Sequence, residues 1–179
     1  VIERASGRLV GNRVVRGSGG IANLKEPILT LDLAGEGDSS RWLNLLKASP
    51  LRRNFGDTLF GMAMDGAADV GVQLVIPLKK ELGTTTLEGQ ALLRGVHFVD
   101  TKWDLDFADV HGRADFSERG FAADRLSLQA GGQPAELGLA VGAFCADPAK
   151  QVEAHLRGVL STQALFGHHD ELATLLAQT

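Results

Sequence analysis

The sequence contains no tyrosine, two tryptophans and a single cysteine among its 179 residues. Because tyrosine is missing and basic residues do not interleave with the aromatic ones, the chain lacks the surface on which nucleic-acid bases stack. The lone Cys145 cannot form a disulfide within the chain, so it gives no indication of the redox compartment. We interpret Cys145 as a small buried apolar residue.

Long runs of a single residue class are also missing. The most basic stretch is Leu51-Arg52-Arg53 and the formal net charge is -4, which excludes the electrostatic pattern of a nucleic-acid-binding protein. No apolar run approaches the ~18 residues of a membrane-spanning helix, and no signal-peptide pattern is present. The chain begins with strand-like sequence at Val1-Ile2 rather than with Met. We interpret it as a fragment of a longer protein.

Motifs that carry catalysis or bind phosphate or metal are missing as well. Gly17-Ser18-Gly19-Gly20 lacks the lysine of a P-loop, and no G-x-S-x-G nucleophile elbow occurs. The adjacent His168 and His169 point apart at a helix start and have no third ligand nearby. Asp104 and Asp106 share a strand face, which we interpret as solvated rather than as a glycosidase pair. We therefore expect no enzyme activity, no cofactor and no metal.

What the sequence does contain is a recurring alternation of apolar and polar residues. The alternation is clearest in Leu31-Asp32-Leu33, Val72-Gln73-Leu74 and Trp103-Asp104-Leu105-Asp106-Phe107. A period of two places each residue type on one face of a pleated strand. Glycine, at 22 residues, exceeds its average frequency of about 7% and suits the turns and bends of a β-rich chain. The pattern predicts a mainly β protein.

Short links separate the alternating segments, and short links favour antiparallel neighbours because parallel strands need long crossovers. The predicted strands cover residues 2–10, 14–24, 27–37, 64–78, 85–93, 97–107, 110–116, 121–130, 135–144 and 151–159. A capped amphipathic stretch with Trp42, Leu45 and Leu46 predicts a helix near 39–49. Residues 161–166 and 170–177 predict further helical structure.

The predicted fold is a long, curved and twisted antiparallel meander sheet with a hydrophobic concave face and two short helices. Residues 1–160 form a repeating antiparallel β-groove segment, interrupted by the helical insertion at about 39–49. Residues 161–179 form a C-terminal helical segment. Similar strand openings at Gly7-Arg8-Leu9, Gly89-Gln90-Ala91 and Gly112-Arg113-Ala114 indicate one strand unit used repeatedly.

The apolar sides of these strands are the candidate binding surface, because they are the one chemical feature that the sequence repeats. Its candidate residues are Leu29, Leu31, Leu33, Val72, Leu74, Ile76, Trp103, Leu105, Phe107, Leu126, Leu128, Leu137, Leu139 and Val141. In the alternative arrangement these sides pack against one another as the core of a closed β-sandwich, a structural or protein-interaction module without a lipid. An open face needs a ligand, because a bare apolar sheet several strands wide aggregates.

Four short sequence blocks occur in a particular order and spacing. They are Leu105 to Phe121, with the run Phe107-Ala108-Asp109-Val110-His111-Gly112-Arg113-Ala114-Asp115-Phe116; Ala48-Ser49-Pro50-Leu51; the alternating run from Gly66 to Leu78; and Leu87-Glu88-Gly89-Gln90-Ala91. Together they resemble the repeating core of the AsmA-like superfamily, and they are most similar to its large YhdP-type members. The resemblance covers roughly residues 20–160.

The resemblance implies both a fold and a function. YhdP-type proteins of Gram-negative bacteria carry a curled β-sheet with a continuous hydrophobic groove, and an N-terminal helix ties them to the inner membrane. The implied function is a non-enzymatic periplasmic segment that lets phospholipids pass toward the outer membrane. In this comparison, residues 42–46 resemble a helix that crosses or plugs the groove.

The resemblance also implies the partners. They are phospholipid acyl chains, the membrane through the anchor of the parent chain, and possible protein partners at the ends of the groove; no nucleic acid is expected. If the apolar face binds lipid, a Leu-to-Glu change at Leu128 or Leu139 is expected to block occupancy and to leave the domain folded.

Overall fold

The computed structural model describes residues 2–48, 60–102 and 104–158. Within these ranges the chain forms nine strands and one complete α-helix. The elements are β1 (Ile2–Leu9), β2 (Asn12–Ile21), β3 (Ile28–Asp38), α1 (Ser39–Ala48), β4 (Met62–Pro77), β5 (Thr86–Asp100), β6 (Leu105–Ser117), β7 (Gly120–Ala130), β8 (Gln133–Gly142) and β9 (Val152–Gly158). A short 3-10 helix, Lys80–Leu82, precedes β5.

The nine strands form one sheet, and each strand pairs antiparallel with the next strand along the chain. The sheet is not closed, because its edge strands β1 and β9 each pair on one side only. The predicted antiparallel meander is therefore confirmed. The described strands do not form the closed β-sandwich of the alternative prediction, since a sandwich requires a second sheet. The curvature and concavity of the sheet stay predictions.

The helix predicted near 39–49 is confirmed as α1. Asp38 caps its N-terminus, because Asp38 Oδ1 accepts hydrogen bonds from the Ser40 N–H at 2.7 Å and from the Ser40 hydroxyl at 2.6 Å. The second predicted helical region, 161–179, and its boundary with the sheet segment lie outside the described residues.

The prediction of three strands between residues 85 and 116 is wrong. The structure has two longer strands there, β5 and β6, joined by a turn that includes Asp104. Gly95 and Asp109, at the predicted breaks, have positive φ angles of 61 and 52. The pairing register between β5 and β6 shifts beside them, between Leu93 and Val96 and between Val96 and Phe98. A bulge interrupts the alternation without ending a strand, which is why these positions resemble turns in the sequence.

Candidate functional site

The pairing register shows which side chains share a face of the sheet, because directly paired residues of antiparallel strands point to the same side. One row of pairs crosses the sheet from β2 to β9. It consists of Gly17, Leu33, Val72, Gly89, Phe116, Phe121, Val141 and Val152. Every described residue in this row is glycine or apolar, so the row defines one continuous apolar side.

The other candidates join the same side through their own direct pairs. Leu29 pairs with Ile76 and Leu31 with Leu74, Phe98 pairs with Phe107, and Asp100 pairs with Leu105. Further along the sheet, Leu126 pairs with Leu137, Leu128 with Ala135, and Ala123 with Leu139. We call this side, with all the predicted residues except Trp103, the apolar face. Trp103 lies outside the described residues.

Several residues of the apolar face were absent from the sequence-based candidates. They are Met62, Met64, Val96, Phe98, Val110, Phe116 and Phe121, all of which are buried or packed against the buried core. Val96 pairs with Val110, and both follow a bulge residue. Each bulge adds one residue to its strand, so the alternation of apolar and polar residues changes phase there. The pattern assigns these residues to the apolar face only when that extra residue is left out of the count.

Burial divides the apolar face into two parts. Phe107, Leu126, Leu128 and Val141 are buried and belong to the core. The six candidates on β3 and β4 are only half-buried, as are two on β8, and one on β6 is exposed. These are Leu29, Leu31, Leu33, Val72, Leu74 and Ile76, then Leu137 and Leu139, and finally Leu105. The first part acts as an ordinary core, and the second part leaves apolar surface accessible.

Helix α1 lies on the apolar face at one end of β3 and β4. Its Trp42 and Leu43 are buried in the core, and its Leu45 and Leu46 pack against the same core. In the last turn of the helix, Lys47 Nζ donates a hydrogen bond to the Met62 carbonyl oxygen at 2.8 Å. Amphipathic spacing explains this arrangement, because the apolar residues of α1 fall on one side of the helix.

The junction between β3 and α1 is held by a buried amide. Asn12 Nδ2 donates to the Asp38 carbonyl oxygen, and the Asp38 N–H donates to Asn12 Oδ1, both at 3.0 Å. The Asp38 carboxylate caps the helix, and the hydrogen bond from the Ser40 hydroxyl is the main reason that its pKa lies below the ordinary value. These contacts fix where α1 begins on the apolar face.

Helix α1 covers only part of β3. Trp42 lies over Gly35, whereas Leu29 is six residues away along the same strand. At about 3.3 Å per residue, the two positions are about 20 Å apart. The half-buried leucines of β3 and their partners on β4 therefore continue the apolar face well beyond the contact with Trp42.

The opposite face of the sheet carries the ion pairs. Its cross-strand and same-strand ion pairs are Arg13–Glu36, Arg16–Asp32, Arg94–Asp69, Arg113–Asp115 and Arg125–Glu136, together with the contacts His97–Asp106 and His111–Asp109. The prediction that Asp104 and Asp106 share a strand face is wrong, because Asp104 lies in the turn before β6 with a positive φ angle of 51, whereas Asp106 lies in β6 and contacts His97. Among the residues that the structure describes, no group of three or more His, Cys, Asp or Glu side chains could hold a metal ion.

These features define a class of protein: an unclosed antiparallel meander sheet with one apolar face, partly covered by an amphipathic helix. The chain belongs to the YhdP family, since the family model described as YhdP protein matches residues 2–178. No curated protein and no solved structure matches the chain. Within the described parts of the chain, no helix has the length and apolar character needed to cross a membrane.

Proposed function

We propose that the apolar face binds the acyl chains of phospholipids. In this proposal the chain is one segment of a bridge-like protein that moves phospholipids between the inner and outer membranes through a hydrophobic β-groove. The observation that carries the proposal is the register, which brings nearly all the predicted apolar positions to one side of a single unclosed sheet. Family membership supports the same assignment.

The chemistry of the apolar face suits acyl chains. Each methylene that leaves water for an apolar surface contributes about 0.8 kcal/mol. Leucine, valine and phenylalanine side chains form no directional bonds, so a bound chain can slide along the face without breaking hydrogen bonds. The polar headgroup stays outside the apolar face, at the ends of the strands, because burying it without hydrogen-bond partners costs free energy.

The half-buried part of the apolar face is the best candidate for the lipid contact. Leu29 and Leu31 on β3 lie beside Ile76 and Leu74 on β4, and Leu29 lies about 20 Å along β3 from Gly35, the residue that Trp42 contacts. A contiguous apolar patch left in water promotes association, which an acyl chain would prevent. The buried residues of the apolar face on β6 to β8 form part of the hydrophobic core, which stabilises the sheet.

The cellular setting is part of the proposal. We infer a periplasmic segment of an inner-membrane protein of a Gram-negative bacterium, which takes part in outer membrane biogenesis without enzymatic activity. Phospholipid acyl chains are its ligand, and an N-terminal anchor of the parent chain connects it to the membrane. Protein partners at the ends of the groove complete the proposal, which includes no nucleic acid.

A pair of charge substitutions tests the proposal. Leu31 and Val75 are both half-buried and lie on the adjacent strands β3 and β4, but they point to opposite faces. Phospholipid that remains with the gently purified protein is measured by mass spectrometry. We expect Leu31→Glu to lose most of the lipid and Val75→Glu to retain it. A wild-type protein without lipid, or equal loss in both variants, contradicts lipid binding at the apolar face.

A further inference from the structure

A recess of about 500 Å³ lies at one rim of the sheet, where β7, β8 and β9 meet their connecting loops. Its lining combines two cationic side chains with small and polar neighbours. The lining residues are Arg119, Gly142, Ala143, Cys145, Pro148, Lys150 and Gln151. No part of the lipid-binding proposal uses this recess.

Backbone hydrogen bonds build the recess from two connections of the sheet. The Ala143 N–H donates to the Arg119 carbonyl oxygen at 3.0 Å, which joins the β8–β9 loop to the β6–β7 turn. The Gly142 N–H donates to the Gln151 carbonyl oxygen at 2.9 Å, which closes the base of the β8–β9 loop. The Lys150 N–H donates to the Asp147 carbonyl oxygen at 3.0 Å, so the backbone of both cationic residues is held by hydrogen bonds.

The two cations are only loosely paired with acidic groups. Arg119 Nε lies 3.7 Å from Glu118 Oε1, and Lys150 Nζ lies 3.7 Å from Glu153 Oε1. Both carboxylates accept backbone hydrogen bonds, Glu118 from the Leu87 N–H and Glu153 from two N–H groups of the loop. Neither carboxylate belongs to a residue that lines the recess. Among the lining residues, Arg119 and Lys150 are the two that carry a full charge, and both charges are positive.

The recess adjoins the apolar face. Phe121, Val141 and Val152 form the end of the row that crosses the sheet, and they pair directly with one another across β7, β8 and β9. The next residues along β8 and before β9 are Gly142 and Gln151, which line the recess. One residue of a strand spans about 3.4 Å. A group held in the recess is therefore adjacent to the apolar row.

We propose that this recess binds a phosphate group between Arg119 and Lys150. Guanidinium and ammonium groups are the side chains that bind phosphate oxygens with charge-assisted hydrogen bonds. The source of the phosphate rests on the lipid-binding function proposed above. In that function, the phosphate belongs to a glycerophospholipid whose acyl chains lie on the apolar face. Free phosphate is the other source of the same chemistry, and the experiment separates the two.

The experiment uses the full chain with three probes: monomeric dihexanoyl phosphatidylglycerol, the uncharged dihexanoylglycerol, and inorganic phosphate. Binding is followed by the backbone amide signals of Gly142 and Ala143 in NMR spectra and by the dissociation constants. The test variant is Arg119→Ala/Lys150→Ala. The matched control is Arg16→Ala/Arg125→Ala, which removes the same charge from the face that carries the ion pairs.

The control matches the test variant in exposure and pairing. The Arg16 and Arg125 side chains are 68% and 75% exposed, with carboxylates at 3.7 and 3.8 Å. The Arg119 and Lys150 side chains are 73% and 58% exposed, with carboxylates at 3.7 Å. Nonspecific attraction of anions by net charge therefore changes equally in both proteins.

We expect the test variant to bind phosphatidylglycerol at least tenfold more weakly than wild type, and the control to change less than twofold. Dihexanoylglycerol should bind all three proteins alike, and inorganic phosphate should shift the Gly142 and Ala143 signals only where both cations are present. If both variants bind phosphatidylglycerol and phosphate like the wild type, the recess is not a phosphate site. In that case, binding of dihexanoylglycerol would still support lipid binding at the apolar face.

The two proposals can fail separately. If neither lipid binds the wild type but inorganic phosphate still requires Arg119 and Lys150, lipid binding is contradicted. The recess is then a site for free phosphate, which supports the phosphate assignment and overturns its lipid source.

Discussion

The indole ring of Trp42 lies directly against Gly35. A Cβ atom added to Gly35 would meet Trp42 Cη2 at 2.8 Å and the Arg13 carbonyl oxygen at 2.7 Å. Carbon atoms make ordinary contacts at about 3.5–4.0 Å, so only glycine allows this approach. The contact places α1 on the apolar face, because Gly35 pairs with Val70 on that side of the sheet.

This contact predicts the effect of Gly35→Ala. The added methyl forces Trp42 or β3 to move, so we expect the free energy of unfolding to fall by about 1–3 kcal/mol. Gly71→Ala is the control, because its Cβ would meet only the Gln90 side chain, at 3.6 Å. We expect Gly71→Ala to change stability by less than about 1 kcal/mol. Urea denaturation measures the unfolding free energy of both variants. If Gly35→Ala and Gly71→Ala lost equal stability, the close contact with Trp42 would not be the cause of the loss at Gly35.

Burial separates the two Leu-to-Glu variants that the sequence analysis treats alike. Leu128 is only 4% exposed and belongs to the core, whereas Leu139 is half-buried. We expect Leu128→Glu to lose several kcal/mol, on the order of 3 or more, because a buried carboxylate lacks a partner. Leu139→Glu should keep the sheet folded and reduce bound phospholipid. Circular dichroism on heating measures the stability of the two variants, and mass spectrometry measures their bound phospholipid. If the Leu139→Glu protein were less stable than the Leu128→Glu protein, the expected order of stability would be wrong.

The helix cap predicts a pH dependence. The Ser40 hydroxyl holds the pKa of Asp38 below its ordinary value of 3.8, so folding favours the ionised carboxylate. Its stabilising contribution is complete above the ordinary pKa and is lost as the pH falls through the lowered one. We expect Asp38→Ala to reduce the unfolding free energy by about 1 kcal/mol at pH 7, and the difference from wild type to shrink in acid. Ser40→Ala should weaken the same pH dependence. A difference that stays constant down to pH ~2 contradicts this role of Asp38.

The first hairpin predicts a stabilising substitution. Val10 and Gly11, between β1 and β2, both have positive φ angles, 51 and 85. Asn-Gly is the preferred pair for such a turn, whereas valine is strained there. Because Val10 is exposed, Val10→Asn should raise the unfolding free energy by about 1 kcal/mol. Val15→Asn is the control, since Val15 is another exposed valine but without a positive φ angle. Similar melting temperatures for the Val10→Asn protein and the wild type would contradict strain at this turn.

Much of the sheet could be predicted from local patterns. The alternation through Leu31 and Leu33, and through Val72 and Leu74, correctly assigned each set to one side of its strand. The helix at 39–48 also followed from local features, namely a capping residue and apolar spacing at Trp42 and Leu45. These features depend only on the geometry of neighbouring residues, which is why a sequence pattern can show them.

The bulges could not be predicted in the same way. At Gly95 and Asp109 an extra residue interrupts the alternation, and in the sequence such an interruption looks the same as a turn. Only the partner strand distinguishes the two, because Val96 pairs with Val110 directly beyond both bulges. The prediction of an additional strand failed for this reason.

The sequence by itself determined that most strands have an apolar and a polar side, because pleating makes alternate side chains point in opposite directions. Only the tertiary structure decided that the apolar sides of successive strands coincide, since Leu31 and Leu74 meet through pairing across 43 residues of chain. It also decided which of these side chains are buried. Trp42 packs against Gly35 and the leucines farther along β3 stay half-buried, because coverage depends on where distant elements pack rather than on the residues themselves.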